Sequence, residues 1–175
     1  MKTIIVYTSK TGFTKKYAQL IALHTQSDII ELKSASAGKL AQYNRIVYGG
    51  RLFAGTIDGL KKIRKLLNGD ICGRLVVFAT GAAPNAAEDV IQKMWAGNLS
   101  EYELTAVPHY YMQAGLCYEK MAVIEKFMMK IAAKAVSSKK EKTAEEEGFA
   151  RAISSSFDIW SEEYAMPLIG YLNNN

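Results

Sequence analysis

Apolar positions along the chain alternate between short unbroken runs and longer stretches with helical spacing. Residues 3–7 read Thr-Ile-Ile-Val-Tyr. This β-branched run has little polar alternation, which predicts a strand buried on both faces. In 14–23, Tyr17, Ala18, Leu20 and Ile21 fall near helical spacing. Residues 28–32 and 45–48 predict the second and third strands, the third ended by Gly49-Gly50. Over 58–67, Leu60, Ile63, Leu66 and Leu67 recur at i, i+3, i+6 and i+7. That spacing predicts an amphipathic helix, closed by Asn68-Gly69-Asp70. Residues 75–79 (Leu-Val-Val-Phe-Ala) predict a fourth buried strand, 85–95 a helix and 102–108 the fifth strand. A long helix is expected over 120–136, a charged connection over 137–147 and a last helical region over 161–171.

Five apolar strands alternating with helices predict an α/β fold, a three-layer α/β/α sandwich around a five-stranded parallel sheet. No repeat or linker interrupts the pattern, and 175 residues suit a single domain spanning 1–175. Sheets of this kind bind ligands beyond the carboxyl ends of their strands, near a topological switch point. The glycine-containing turns after strands one, three and four all open on that edge.

Composition narrows the class. With 49% apolar and 22% charged residues, the chain is neither disordered nor fibrous. Its apolar runs fall short of the roughly 20 residues that span a bilayer. The first, at 4–6, is too short for a signal-peptide core, so a cytoplasmic protein is expected. Two cysteines, Cys72 and Cys117, make neither a disulfide framework nor a zinc site. The net charge of +5 is unevenly spread: residues 1–87 carry +9 and residues 88–175 carry −4. A basic first half attracts phosphate, nucleic acid or an anionic membrane, and charge alone does not choose among them.

The turn after the first strand does choose. Ser9, Thr11 and Thr14 supply hydroxyls, Gly12 lets the backbone approach a ligand, and the helix start adds free N–H groups. Together these make a site for a phosphate dianion. The turn has no Gly-Lys-Ser/Thr ending and no Gly-x-Gly-x-x-Gly, so it is neither a triphosphate loop nor a dinucleotide fingerprint. Hydroxyls in place of glycines suit a terminal monophosphate.

Residues 5–21 resemble the flavodoxin signature: two apolar residues, Tyr7, then Ser9, Gly12, Thr14, Ala18 and Ile21 at the family's spacing. The resemblance implies noncovalent binding of flavin mononucleotide (FMN), with the phosphate held by Ser9, Lys10, Thr11, Gly12, Phe13 and Thr14. Lys10 stands where a small residue is common. Three further stretches are similar to the flavodoxin-like subgroup that includes menaquinone-dependent protoporphyrinogen oxidase. They are 45–55, Thr80-Gly81-Ala82-Ala83-Pro84, and 114–118 ahead of the Met- and Lys-rich helix.

The resemblance also implies where the flavin ring sits. Leu52 or Phe53, with Arg51, Ala54 and Gly55, would wall one side and offer N–H groups. Thr80, Gly81, Ala82, Ala83 and Pro84 would meet the pyrimidine edge. The second of these loops lacks the aromatic that usually stacks on the ring. That gap, together with Arg51 and the basic balance, would leave one ring face open and favour a reduced anion. The expected function is therefore an oxidoreductase acting on a quinone- or porphyrinogen-like molecule; the alternative is an electron carrier that docks with a protein partner. No nucleic acid partner, metal or catalytic side chain is expected, because the flavin carries the chemistry.

Lys126, Lys130 and Lys134 form a basic stripe opposite Met121, Ile124, Phe127, Met128 and Ile131. This is either a solvated helix face or peripheral contact with the inner face of an anionic membrane. His109 is expected on the ligand edge, after the fifth strand.

Overall fold

The computed structural model describes residues 1–69, 71, 73–117, 119, 126, 131, 134 and 156–175. These form two compact units, one of Met1–Ala114 with Trp160–Asn175, the other of Gly115–Ile159.

The first unit is built on strands β1 (Thr3–Thr8), β2 (Asp28–Glu31), β3 (Arg45–Phe53), β4 (Thr56–Ile57), β5 (Leu75–Gly81) and β6 (His109–Gln113). Five of them run parallel in the order β2-β1-β3-β5-β6, and β4 pairs antiparallel with the end of β3. This is the expected α/β fold. The helices are α1 (Phe13–Thr25), α2 (Ala37–Leu40), α3 (Leu60–Leu66), α4 (Glu88–Asn98), α5 (Glu101–Ala106) and α6 (Met166–Asn174).

The two-residue period of β1 sorts its side chains between two cores. Ile4 and Val6 join Tyr48, Val77, Leu60, Ile63 and Trp95 on one face of the sheet. Ile5 and Tyr7 join Phe78, Tyr17, Ile21 and Leu168 on the other. Both faces are buried, which is why the strands read as unbroken apolar runs.

Two elements differ from expectation. Residues 102–108 do not form the fifth strand: Glu101–Ala106 is helical, and the strand is His109–Gln113. The reason is a capping box. Ser100 Oγ accepts from the Glu103 N–H at 3.3 Å, and Glu103 Oε2 accepts from the Ser100 N–H at 2.8 Å. The third strand does not stop at Gly49-Gly50 but runs on to Phe53. Those glycines mark close approach rather than a turn: a Cβ on Gly49 would lie 2.0 Å from the Phe78 ring.

In the second unit, Leu116 and Phe157 form an antiparallel bridge with both N–H···O bonds at 2.9 Å. Within 120–136, Lys126, Ile131 and Lys134 are helical. Met121, Ile124, Phe127, Met128 and Lys130 lie outside the described residues, as do Cys72 and the 137–147 connection.

Candidate functional site

The turn between β1 and α1 is held by its own backbone and side chains. The Gly12 N–H donates to Ser9 Oγ at 3.2 Å, so Ser9 closes the turn. Gly12, at φ 106°, is the residue before the helix, and no side chain caps the helix start. The first-turn N–H groups therefore have no side-chain acceptor, and they converge where the positive end of the α1 dipole emerges. The half-buried Thr11 sits in this turn, Lys10 is exposed, and Phe13 packs into the core on the α1 side.

Thr14 is 1% exposed, and its Oγ1 lies 2.8 Å from Thr80 Oγ1 at the end of β5. This bond joins the first-strand turn to the fourth-strand loop across the sheet. A hydroxyl both donates and accepts, so Thr14 keeps one hydrogen-bonding role for a ligand.

The loop after β3 is a hairpin. Ala54 and Gly55 occupy its two-residue turn at φ 48° and 79°, the left-handed pair such a turn requires. Asn98 of α4 clamps it: Nδ2 donates to the Gly55 carbonyl at 2.7 Å and Oδ1 accepts from the Ile57 N–H at 2.8 Å. Alternation along β3 separates the two candidate ring walls. Leu52 packs against the α3–α4 core, while the Arg51 guanidinium lies 4.9 Å from the Phe53 ring centroid. Phe53 is therefore the residue left for a wall. Arg51 is not a lone positive charge, since its Nε donates to Asp58 Oδ2 at 2.7 Å. The local pull of Arg51 on a reduced, anionic flavin is correspondingly weaker than the sequence implies.

The loop after β5 is braced by β6. Tyr111 donates to the Ala83 carbonyl at 2.9 Å, and its ring lies beneath Gly81. Gln113 and Asn85 exchange two bonds, Asn85 N–H to Gln113 Oε1 at 3.0 Å and Gln113 N–H to Asn85 Oδ1 at 3.1 Å. Ala82 and Ala83 are half-buried and Pro84 is exposed.

Two tyrosine phenols at this edge are held protonated by burial. Burial pushes the Tyr48 phenol up to about 12 and raises that of Tyr111 as well. The Tyr48 hydroxyl bonds the Asp58 carbonyl and lies 3.1 Å from Thr8 Oγ1. It thus ties the end of β1 to the residue that holds Arg51.

Asp58, Asn98 and Gln113 were not singled out by the sequence pattern, and the bracing roles of Asn85 and Tyr111 were not read from it. Tyr111 and Gln113 become legible once the Ser100-x-x-Glu103 box moves the fifth strand toward the carboxyl end. The same shift moves His109 off the ligand edge. It opens β6 at the opposite end of the sheet, where Nδ1 lies 2.8 Å from the Val107 carbonyl and the ring packs 4.7 Å from Trp95. Among the described residues, no group of three metal-ligating side chains occurs, and no helix is long and apolar enough to cross a membrane.

A parallel sheet of order β2-β1-β3-β5-β6 with an uncapped helix start after β1 defines a flavodoxin-like α/β protein. The flavodoxin domain family matches residues 4–144, and the chain belongs to that family. No curated protein matches the chain. Among solved structures, a flavodoxin from Streptococcus pneumoniae TIGR4 is 16% identical, covering 77% of this chain and 99% of its own, with a TM-score of 0.47. Two-electron reduced Megasphaera elsdenii flavodoxin is 13% identical over 87% of this chain and 98% of its own, TM-score 0.46. A Lactobacillus acidophilus flavoprotein in complex with FMN is 20% identical over 64% of this chain and 91% of its own, TM-score 0.39. These likenesses are distant, and the family match carries the assignment.

Proposed function

We propose that this chain is an FMN-binding redox protein whose flavin reacts with a flat small molecule of the quinone or porphyrinogen kind. Membership of the flavodoxin family gives FMN as the cofactor, and the residues present fit it. The uncapped helix start, Gly12 at positive φ and the Thr11 and Thr14 hydroxyls would hold the phosphate. Phe53 and the Thr80–Asn85 backbone would flank the ring. Bound FMN supplies one- and two-electron chemistry; the protein's part is to fix the ring, shield it from water and set which face stays open.

The observation that carries the small-molecule reading is the Ala82-Ala83-Pro84 segment. It places no aromatic side chain over the ring slot, and Tyr111 and Gln113 brace it from below. An open face admits a flat substrate. The narrower likeness of 45–55, 80–84 and 114–118 to the protoporphyrinogen oxidase subgroup supports the same reading. The alternative is a carrier that passes electrons to a protein partner, favoured by its family membership.

The test is anaerobic reoxidation of the dithionite-reduced holoprotein by a menaquinone analogue, with protoporphyrinogen turnover as a second assay. Saturable reoxidation, slowed by Ala83→Leu, is expected. Slow, unsaturable reaction with quinones alongside rapid reoxidation by a redox protein would establish the carrier instead.

A further inference from the structure

Thr14 and Thr80 meet from distant parts of the chain. Thr14 stands in the first turn of α1, and Thr80 lies 66 positions away near the end of β5. They are 1% and 3% exposed, and their Oγ1 atoms are 2.8 Å apart.

The pair does not balance by itself. Two hydroxyls bring two protons, and the bond between them uses one. Neither Oγ1 makes a second hydrogen bond among the described residues. One buried O–H is therefore left without an acceptor in the protein, a situation that folded chains avoid. Which one is left depends on the direction of the bond, and the two ends have different surroundings. If Thr14 donates, the spare proton is on Thr80, at the end of an inner strand of the sheet. If Thr80 donates, the spare proton is on Thr14, in the first turn of a 13-residue helix whose start has no side-chain cap and is preceded by Gly12 at φ 106°. Free backbone N–H groups and the positive end of the helix dipole favour an anion at that second place, and an anion is the acceptor that the spare proton needs.

We propose that Thr80 is a positioning residue for the phosphate: its O–H donates to Thr14 Oγ1 and so turns the Thr14 O–H toward the anion. A hydroxyl that accepts one bond donates a stronger one. The strand that leads into the ring loop thus contributes to phosphate affinity without touching the phosphate. This rests on the flavin reading above and deepens it, by naming a residue outside the first turn that sets the preference for FMN over riboflavin.

Calorimetric titration of the apoproteins with FMN and riboflavin tests it, with urea midpoints confirming that each variant folds. Thr80→Val keeps the side-chain shape and removes the hydroxyl. FMN affinity is expected to fall about threefold to tenfold, the worth of one hydrogen bond, while riboflavin stays within about twofold. Thr80→Ala, which also lacks the hydroxyl, repeats the comparison with a smaller side chain. Thr80→Ser keeps the hydroxyl and should hold the preference for FMN within about twofold of the wild type. In a Thr14→Val background, Thr80→Val should change that preference no further, because the hydroxyl it orients is gone. Equal losses for the two flavins in Thr80→Val and Thr80→Ala overturn the proposal, as does an undiminished loss in the Thr14→Val background. A wild type that prefers FMN, with Thr80→Val preferring it as strongly, defeats the role of Thr80 alone. A wild type without preference for FMN defeats the phosphate reading and the role of Thr80 together.

Discussion

At the scale of single residues, the hydroxyls of the first turn have separate jobs. Ser9 closes the turn and Thr14 is tied to Thr80, so Thr11 is the cleanest probe of phosphate contact. A hydrogen bond to a charged group contributes about 1.5–3 kcal/mol. Thr11→Ala should therefore weaken FMN by that amount and leave riboflavin nearly unchanged, as measured by fluorescence quenching of the two flavins. Thr14→Ala is a different experiment, because it also strands Thr80 and lowers stability. Tyr48 gives a pH signature. Its phenol is raised from 10.0 to about 12 by burial. Its contribution is intact below pH about 10, where both states are protonated, and is lost as pH rises through about 12, because only the unfolded chain ionises readily. A shift of about two units is worth about 2–3 kcal/mol. Urea midpoints should fall across that window, and Tyr48→Phe should flatten the fall while lowering stability at neutral pH.

At the scale of elements, the hairpin β3–β4 and the loop after β5 depend on partners outside themselves. Asn98→Ala removes both bonds that clamp the hairpin, each worth about 0.5–1.5 kcal/mol. On the proposed placement of the flavin ring against the hairpin, FMN and riboflavin should then weaken by similar factors. That pattern is opposite to the one expected for Thr11→Ala, and one pair of titrations distinguishes them. Ser100→Ala breaks the box that starts α5. It should cost about 0.5–2 kcal/mol, read as a lower urea midpoint. Arg64 limits the damage, because its two bonds to the Glu103 carboxylate, at 2.7 and 2.8 Å, tie α3 to α5 independently of the cap.

The elements also show what a sequence discloses and what it withholds. Strands β1 and β5 were legible because both faces are buried and the apolar run is unbroken. The first turn lies where the sequence places it, between β1 and α1, because its residues are consecutive and its boundaries are local. The fifth strand was misplaced because Tyr102, Leu104 and Ala106 alternate as a strand would, while the capping box that decides the matter lies in Ser100 and Glu103. Gly49 and Gly50 read as a turn because the pattern does not reveal what packs against them, the Phe78 ring on Gly49 and the Ile57 side chain and Asp58 carbonyl on Gly50. The ring-site supports Asn98, Tyr111 and Gln113 were hidden for the same reason: their partners lie 28 to 43 residues away.

At the scale of the molecule, the sheet order sets the plan. The order β2-β1-β3-β5-β6 places the first turn on the strand beside the central one, with the loops after β3 and β5 to one side of it. The +9 charge of residues 1–87 is thus concentrated in the half of the chain that carries these loops. A ligand that binds only the folded state stabilises it by about 2.7 kcal/mol at a hundred times its dissociation constant. FMN should accordingly raise the thermal midpoint more than riboflavin does at equal concentration. The central claim is that the first turn is built for the phosphate of FMN. Parallel calorimetric titrations of the apoprotein with FMN and riboflavin test it most directly. The structure predicts one FMN per chain, with riboflavin weaker by about a hundredfold or more, as two or more charge-assisted contacts require. Equal affinity for the two ligands, or no saturable binding of FMN, would contradict it.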